Sequence, residues 1–152
     1  MNRAKSLKAK DLMSREVVTL SPLTEAGAAA RVFTDRRISG APVVGKDGEI
    51  LGIVSQTDLT RFQADAPIAH WGDVADGLND RQRDETPVIA LMTPHPVVCD
   101  EETPIEEVAH LMQERRIHRV LVSRSGRLVG IISAMDLLRV FAAEPSQSRH
   151  EA

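Results

Sequence analysis

Aromatic side chains are nearly missing from this sequence: three phenylalanines, one tryptophan and no tyrosine among 152 residues. That is too few to build a platform on which nucleobases stack. Cysteine is scarcer still, and with Cys99 alone no internal disulfide and no CxxC zinc or redox motif can form. Neither charge sign dominates, since nineteen Lys and Arg stand against twenty-two Asp and Glu, a net of -3. Coating nucleic acid or an anionic membrane requires a basic face, so both partner classes are set aside. No apolar run is long enough for a transmembrane helix, and none follows Arg3, Lys5, Lys8 and Lys10 as a signal peptide requires. A cytoplasmic protein with a solvated leader is the resulting expectation. GxSxG, GxGxxG, HExxH and the P-loop are missing too, and no Ser, His and Asp stand at a telling spacing. The sequence reads as non-catalytic.

What remains is an ordinary globular balance, 42% hydrophobic and 27% charged, arranged as a repeat. A shift of 79 positions lays Leu12-Met13 on Leu91-Met92, Val18 on Val97, Thr24 on Thr103 and Arg36-Arg37-Ile38 on Arg115-Arg116-Ile117. One residue drops out around Gly45 to Asp47. From there a shift of 78 lays Gly52-Ile53 on Gly130-Ile131, Ser55 on Ser133, Asp58-Leu59 on Asp136-Leu137 and Arg61 on Arg139. The indel falls in a turn, where length changes are tolerated. The chain is therefore two copies of one unit.

Each copy predicts the order β-α-β-β-α, an α+β fold. First strands are expected over Val17 to Leu20 and Val97 to Cys99. The next helix carries Ala26, Ala29, Ala30 and Phe33, or Ile105, Val108, Ala109 and Met112, one apolar stripe at helical spacing. Thr103-Pro104-Ile105-Glu106 has the form of a capped helix start, with Thr24 at the matching cap. Gly27 replaces Glu106 in the first copy and should weaken that helix by roughly 1 kcal/mol relative to Ala. A hairpin follows, Ala41 to Val44 with Ile50 to Ser55 and Val120 to Ser123 with Leu128 to Ser133, and then a closing helix. Neither copy buries much core alone, so the two are expected to pack against each other. The expected division is 8–66 and 88–143 for the copies, 67–87 for a linker with a helix over Trp71 to Leu78, and 144–152 for a disordered tail.

The paired blocks Asp11-Leu12-Met13 and Ala90-Leu91-Met92-Thr93-Pro94 resemble those of CBS domains, named for cystathionine β-synthase. So do Arg37-Ile38-Ser39-Gly40-Ala41-Pro42-Val43-Val44 and Arg116-Ile117-His118-Arg119-Val120-Leu121-Val122. Gly52-Ile53-Val54-Ser55-Gln56-Thr57-Asp58-Leu59 and Gly130-Ile131-Ile132-Ser133-Ala134-Met135-Asp136-Leu137 complete the match, which spans roughly residues 8 to 143. The resemblance implies a tandem pair about a pseudo-twofold axis, a Bateman module, pairing again into a homodimer and binding an adenosine-containing ligand between the copies.

In that family the Ser-x-x-Asp motif holds ribose and phosphate, which falls here on Ser55 and Asp58 and on Ser133 and Asp136. A carboxylate can accept both ribose hydroxyls, and a Ser at a helix start can hold a phosphate oxygen. The same four-residue pattern is also a capping box, which explains both residues without a ligand. The family's crossed arrangement joins Ser133 and Asp136 with Thr24, Ala29, Ile38 and Ser39, and Ser55 and Asp58 with Thr103, Val108, Ile117 and His118. Backbone at Ile38 and Ile117 would read the adenine edge. Plain caps for the threonines and plain core for Ala29 and Val108 are the alternatives. Arg119 matches a phosphate-binding position, and a planar fork of donors suits that task. The first copy has Ser39-Gly40 instead, so the two sites are expected to differ. With no basic residue between Ser and Asp, AMP or ADP is favoured over ATP, S-adenosylmethionine or NAD.

Two rivals stand beside this reading. The first is a ligand-independent dimeric interaction scaffold, whereas the ligand-binding module would signal through an unknown protein partner or through its dimer. The second is a metal site: His95 and Cys99 would share a strand face with Val97 between them, joined by His118 or His70. A small buried Cys99 is the plainer expectation.

Overall fold

A computed structural model of the chain describes residues 7–64 and 83–143. The expected linker helix, Trp71, His70 and the tail lie outside these residues. The elements in chain order are α1 (Ala9–Leu12), α2 (Ala26–Arg36), β1 (Gly40–Val44), β2 (Ile50–Ser55), α3 (Gln56–Ala64), a 3-10 turn (Val88–Ala90), β3 (Thr93–Pro94), β4 (Val98–Asp100), α4 (Ile105–Arg115), β5 (Arg119–Arg124), β6 (Arg127–Ser133) and α5 (Ala134–Ala143). Two three-stranded sheets result, β1-β2-β3 and β4-β5-β6. The fold is α+β, as the repeat implies, and no described helix is long and apolar enough to cross a membrane.

The chain forms two compact units, and their boundaries cut across the sequence repeats. One unit runs from Val18 to Pro96; the other joins the residues up to Val17 with those from Val97 onward. The segment leading into each copy thus packs on the other copy. In the first of these units Glu25 bridges Pro87, and β3 pairs with β2 at Gly52↔Pro94 and Ile53↔Thr93. In the second, Lys8 bridges Pro104, while Ser14 and Ile131 exchange backbone bonds of 2.9 and 3.1 Å. Residues 83–87, the end of the expected linker, belong to this paired segment.

Each unit has its own core. Leu20, Ala26, Ala29, Phe33, Ala41, Val43, Val54, Leu59 and Val88 fill one. Ala9, Met13, Cys99, Ile105, Val108, Met112, Val120, Val122, Ile132 and Leu137 fill the other. The helical stripes read from spacing are the buried faces of α2 and α4, and Ala9, Met13 and Val88 are the contributions of the exchanged segments.

Three local expectations are corrected. The first copy has no first strand over Val17 to Leu20: Leu20 alone bridges Val43 before the Ser21-Pro22 turn, whereas the second copy forms β4 parallel to β5. The threonine caps are not used, because α2 and α4 begin after Glu25 and Pro104, with no side-chain cap. The exchanged backbone does the capping. The Ala26 N–H donates to the Thr86 carbonyl (2.8 Å) and the Ile105 N–H to the Leu7 carbonyl (3.1 Å), equivalent bonds under the 79-residue shift. Pairing with Lys8 holds Pro104 extended, so the helix starts one residue late and the Glu106 box does not close. Lastly, Gly27 is not simply a weak helix residue. A Cβ there would sit 3.1 Å from the Asp84 Cβ, so glycine makes room for the exchanged segment.

Candidate functional site

The chemistry gathers where a strand hands over to its closing helix. Ser55 ends β2 and Asp58 lies in the first turn of α3. The Ser55 N–H donates to Asp58 Oδ2 (2.8 Å), the Ser55 hydroxyl donates to the same oxygen (2.9 Å), and the Asp58 N–H donates to Ser55 Oγ (3.1 Å). The second copy repeats this at the start of α5. The Ser133 N–H donates to Asp136 Oδ2 (2.8 Å) and the Asp136 N–H to Ser133 Oγ (3.2 Å). Both motifs are therefore capping boxes. Each box uses Oδ2 and leaves Oδ1 outside it. Asp136 Oδ1 lies 3.5 Å from Arg139 Nη1, a loose pair at a carboxylate whose side chain keeps 23% of its exposure.

Neighbouring strand starts are tied to the same helices. The Gln56 N–H donates to the Ser39 carbonyl and the Ala134 N–H to the His118 carbonyl, both at 2.8 Å. Across the sheets Gly40 faces Ser55 and Arg119 faces Ser133. One unit thus brings together Ser39, Ser55 and Asp58, and the other His118, Arg119, Ser133 and Asp136. Ile38 and Ile117, partly buried, each close the helix end before these strand starts, donating to the carbonyls of Phe33 and Met112 (3.0 Å each). Thr24 and Thr103 are partly buried beside α2 and α4. Ala29 and Val108 have no accessible surface and sit in the cores, where they support the helices rather than offer a contact.

The pairing of His95 with Cys99 does not form. His95 adopts a left-handed backbone (φ 53°), which breaks strand alternation, and the strand begins only at Val98. Cys99 is buried in a core, and burial, reinforced by the Asp100 charge, pushes its thiol up to about 11. Thiolate is the metal-binding form, so this environment opposes ligation. Among the described residues no three His, Cys, Asp or Glu are grouped to hold a metal ion.

Sequence reasoning missed what braces each site from the side. Three residues before each Ser, a glycine of the strand receives a methionine of the exchanged segment. A Cβ on Gly52 would lie 2.6 Å from Met92 Sδ, and one on Gly130 2.5 Å from Met13 Sδ. The repeated Leu-Met and Gly-Ile pairs were the available signal; their mutual contact was not.

A family model described as the CBS domain matches residues 9–65 and 88–143. This chain belongs to the CBS-domain family. It is 30% identical over 131 residues to the uncharacterized protein YlbB of Bacillus subtilis, covering 86% of this chain and 79% of that one. It is 29% identical over 119 residues to the human 5'-AMP-activated protein kinase subunit gamma-3, covering 78% of this chain but only 23% of the subunit. Among solved structures, CBSX2 in complex with AMP superposes with a TM-score of 0.74 at 23% identity, covering 90% of this chain and 97% of that one.

Proposed function

We propose that this CBS pair is a non-catalytic regulatory module that binds an adenosine-containing ligand, AMP or ADP in preference to ATP. The observation that carries the reading is the outward Oδ1 of Asp136 beside the Arg119 strand start, at a helix N-terminus that favours anions. A ribose hydroxyl bonding that oxygen would compete with the loose Arg139 contact and leave the capping box intact. Thr103, Ile117, His118, Arg119, Ser133 and Asp136 are the candidate ligand residues of one unit, and Thr24, Ile38, Ser39, Ser55 and Asp58 those of the other. The AMP complex of CBSX2 and the kinase subunit's likeness support the ligand class. Ligand would act by favouring one conformation, read by a cytoplasmic partner or within a homodimer.

Calorimetry and thermal melts against AMP, ADP, ATP, adenosine, S-adenosylmethionine and NAD test this. A ligand at a hundredfold excess over its Kd adds about 2.7 kcal/mol to stability. The expected result is a shift with AMP that Asp136→Ala abolishes. Because Ala also removes a cap, Asp136→Asn is the cleaner variant: its amide oxygen can keep the cap while the outward acceptor is lost. Wild-type affinity in both variants would overturn the assignment.

The scaffold reading has one observation of its own. Met135, Leu138 and Phe141 on α5 are 59%, 57% and 56% exposed, one apolar face where α3 has Thr57 and Thr60. If no nucleotide shifts the melt, a dimer formed through this face becomes the better account.

A further inference from the structure

Each unit carries an arginine where helices usually end in glycine. Arg37 and Arg116 close α2 and α4 in the left-handed region, at φ 54° and 53°, and are equivalent under the repeat. Left-handed backbone costs an ordinary residue on the order of 1 kcal/mol, which glycine avoids. Helix-end charge does not require them, since Arg36 and Arg115 already occupy the last turns. Both left-handed arginines are exposed, and neither has an ion pair among the described residues. Each immediately precedes the isoleucine, Ile38 or Ile117, whose backbone is assigned to the adenine edge.

A purine site needs a flat surface as well as an edge contact, and the strand-start and Ser-x-x-Asp segments of both copies contain no phenylalanine, tryptophan or tyrosine. Phe33 is in a core, and tyrosine is missing altogether. The His118 imidazole is present in the second copy alone, so the planar group that both copies offer beside the isoleucine is the guanidinium, which packs against bases by cation–π and stacking contact. From these facts we infer that Arg37 and Arg116 are base-contacting residues, each laying its guanidinium against the adenine whose edge meets the following isoleucine. This inference rests on the adenosine reading above. It explains why the repeat keeps arginine, rather than glycine or lysine, at a strained position twice.

Arg37→Gly, Arg116→Gly and the two Lys variants test it, with calorimetry on AMP and adenosine and melts of the ligand-free proteins. The Gly variants are expected to melt at the wild-type temperature or above, so lost binding is not lost folding. In at least one of them the Kd for AMP and for adenosine should rise together by about fivefold, the scale of one cation–π contact. The matching Lys variant should not restore it. Unchanged affinities would leave these arginines as helix ends and overturn the inference. Loss for AMP but not adenosine would move the contact to phosphate, and rescue by Lys would make it one of charge alone; either overturns it. A wild-type protein that binds neither ligand instead removes the adenosine reading itself.

Discussion

At the scale of single residues, the contacts of Gly52 and Gly130 have consequences that differ in kind. Beyond Gly130 lies a flexible Met13 side chain, whereas beyond Gly52 lies the Thr93 carbonyl at 2.7 Å as well as Met92. Gly130→Ala and Gly52→Ala should each cost about 1–3 kcal/mol in urea unfolding, the usual range for overpacking. Met13→Ala should offset part of the loss in Gly130→Ala, while Met92→Ala should do little for Gly52→Ala, because backbone cannot step aside. A double-mutant cycle on each pair reads this directly. Titration adds a second residue-scale expectation. Glu102, hydrogen-bonded to Lys10 and Lys8, is held down to about 2. A depressed carboxylate supports the fold above its ordinary value near 4.5 and loses that support as pH falls toward 2. The Glu102→Gln variant should therefore lose a little stability in the neutral region and converge on the wild type as pH falls toward 2, which flattens the acid limb of its stability–pH curve.

Among the elements, the helices and hairpins were legible because spacing reports burial. Ala26, Ala29 and Phe33, and Ile105, Val108 and Met112, needed only a 3.6-residue period to be placed. The helix starts were not legible, because a Thr-Pro-x-Glu pattern describes local competition and the decisive partners, Leu7 and Thr86, come from far away in the chain. Thr24→Ala accordingly should change stability by less than about 0.5 kcal/mol, against the roughly 1 kcal/mol an N-cap would cost. Chemical denaturation distinguishes the two values. At the Ser-x-x-Asp motifs the sequence allowed both a cap and a ligand. The structure realises the cap and leaves Oδ1 for the second role, so the two readings are compatible rather than exclusive.

For the molecule as a whole, the repeat disclosed two copies but not their exchange of leading segments, since self-similarity says nothing about which copy a segment packs on. The two units also differ at equivalent faces. Where one pairs Lys8 and Lys10 with Glu102, the other has Ile89 and Leu23 at the positions equivalent to Lys10 and Glu102, 46% and 76% exposed. A similar asymmetry separates α3 from α5. If α5 is where two modules meet, Leu138→Glu should turn a dimer into a monomer by light scattering with the far-ultraviolet spectrum unchanged. A wild-type protein that runs as a monomer would set that dimer aside.

The exchange also fixes an order of events during synthesis. The unit from Val18 to Pro96 is one continuous stretch, complete as soon as its last residue is free to pair. Its counterpart is discontinuous. Ala9 and Met13 must wait for Ile105, Ile131 and their neighbours, which are made some ninety residues or more later. Closing so long a loop slows folding more than it lowers final stability. The segment holding Ala9 and Met13 thus finds its place only after the unit that follows it is complete, and a ribosome-stalled chain ending just past Pro96 would hold one finished unit with that segment still unattached.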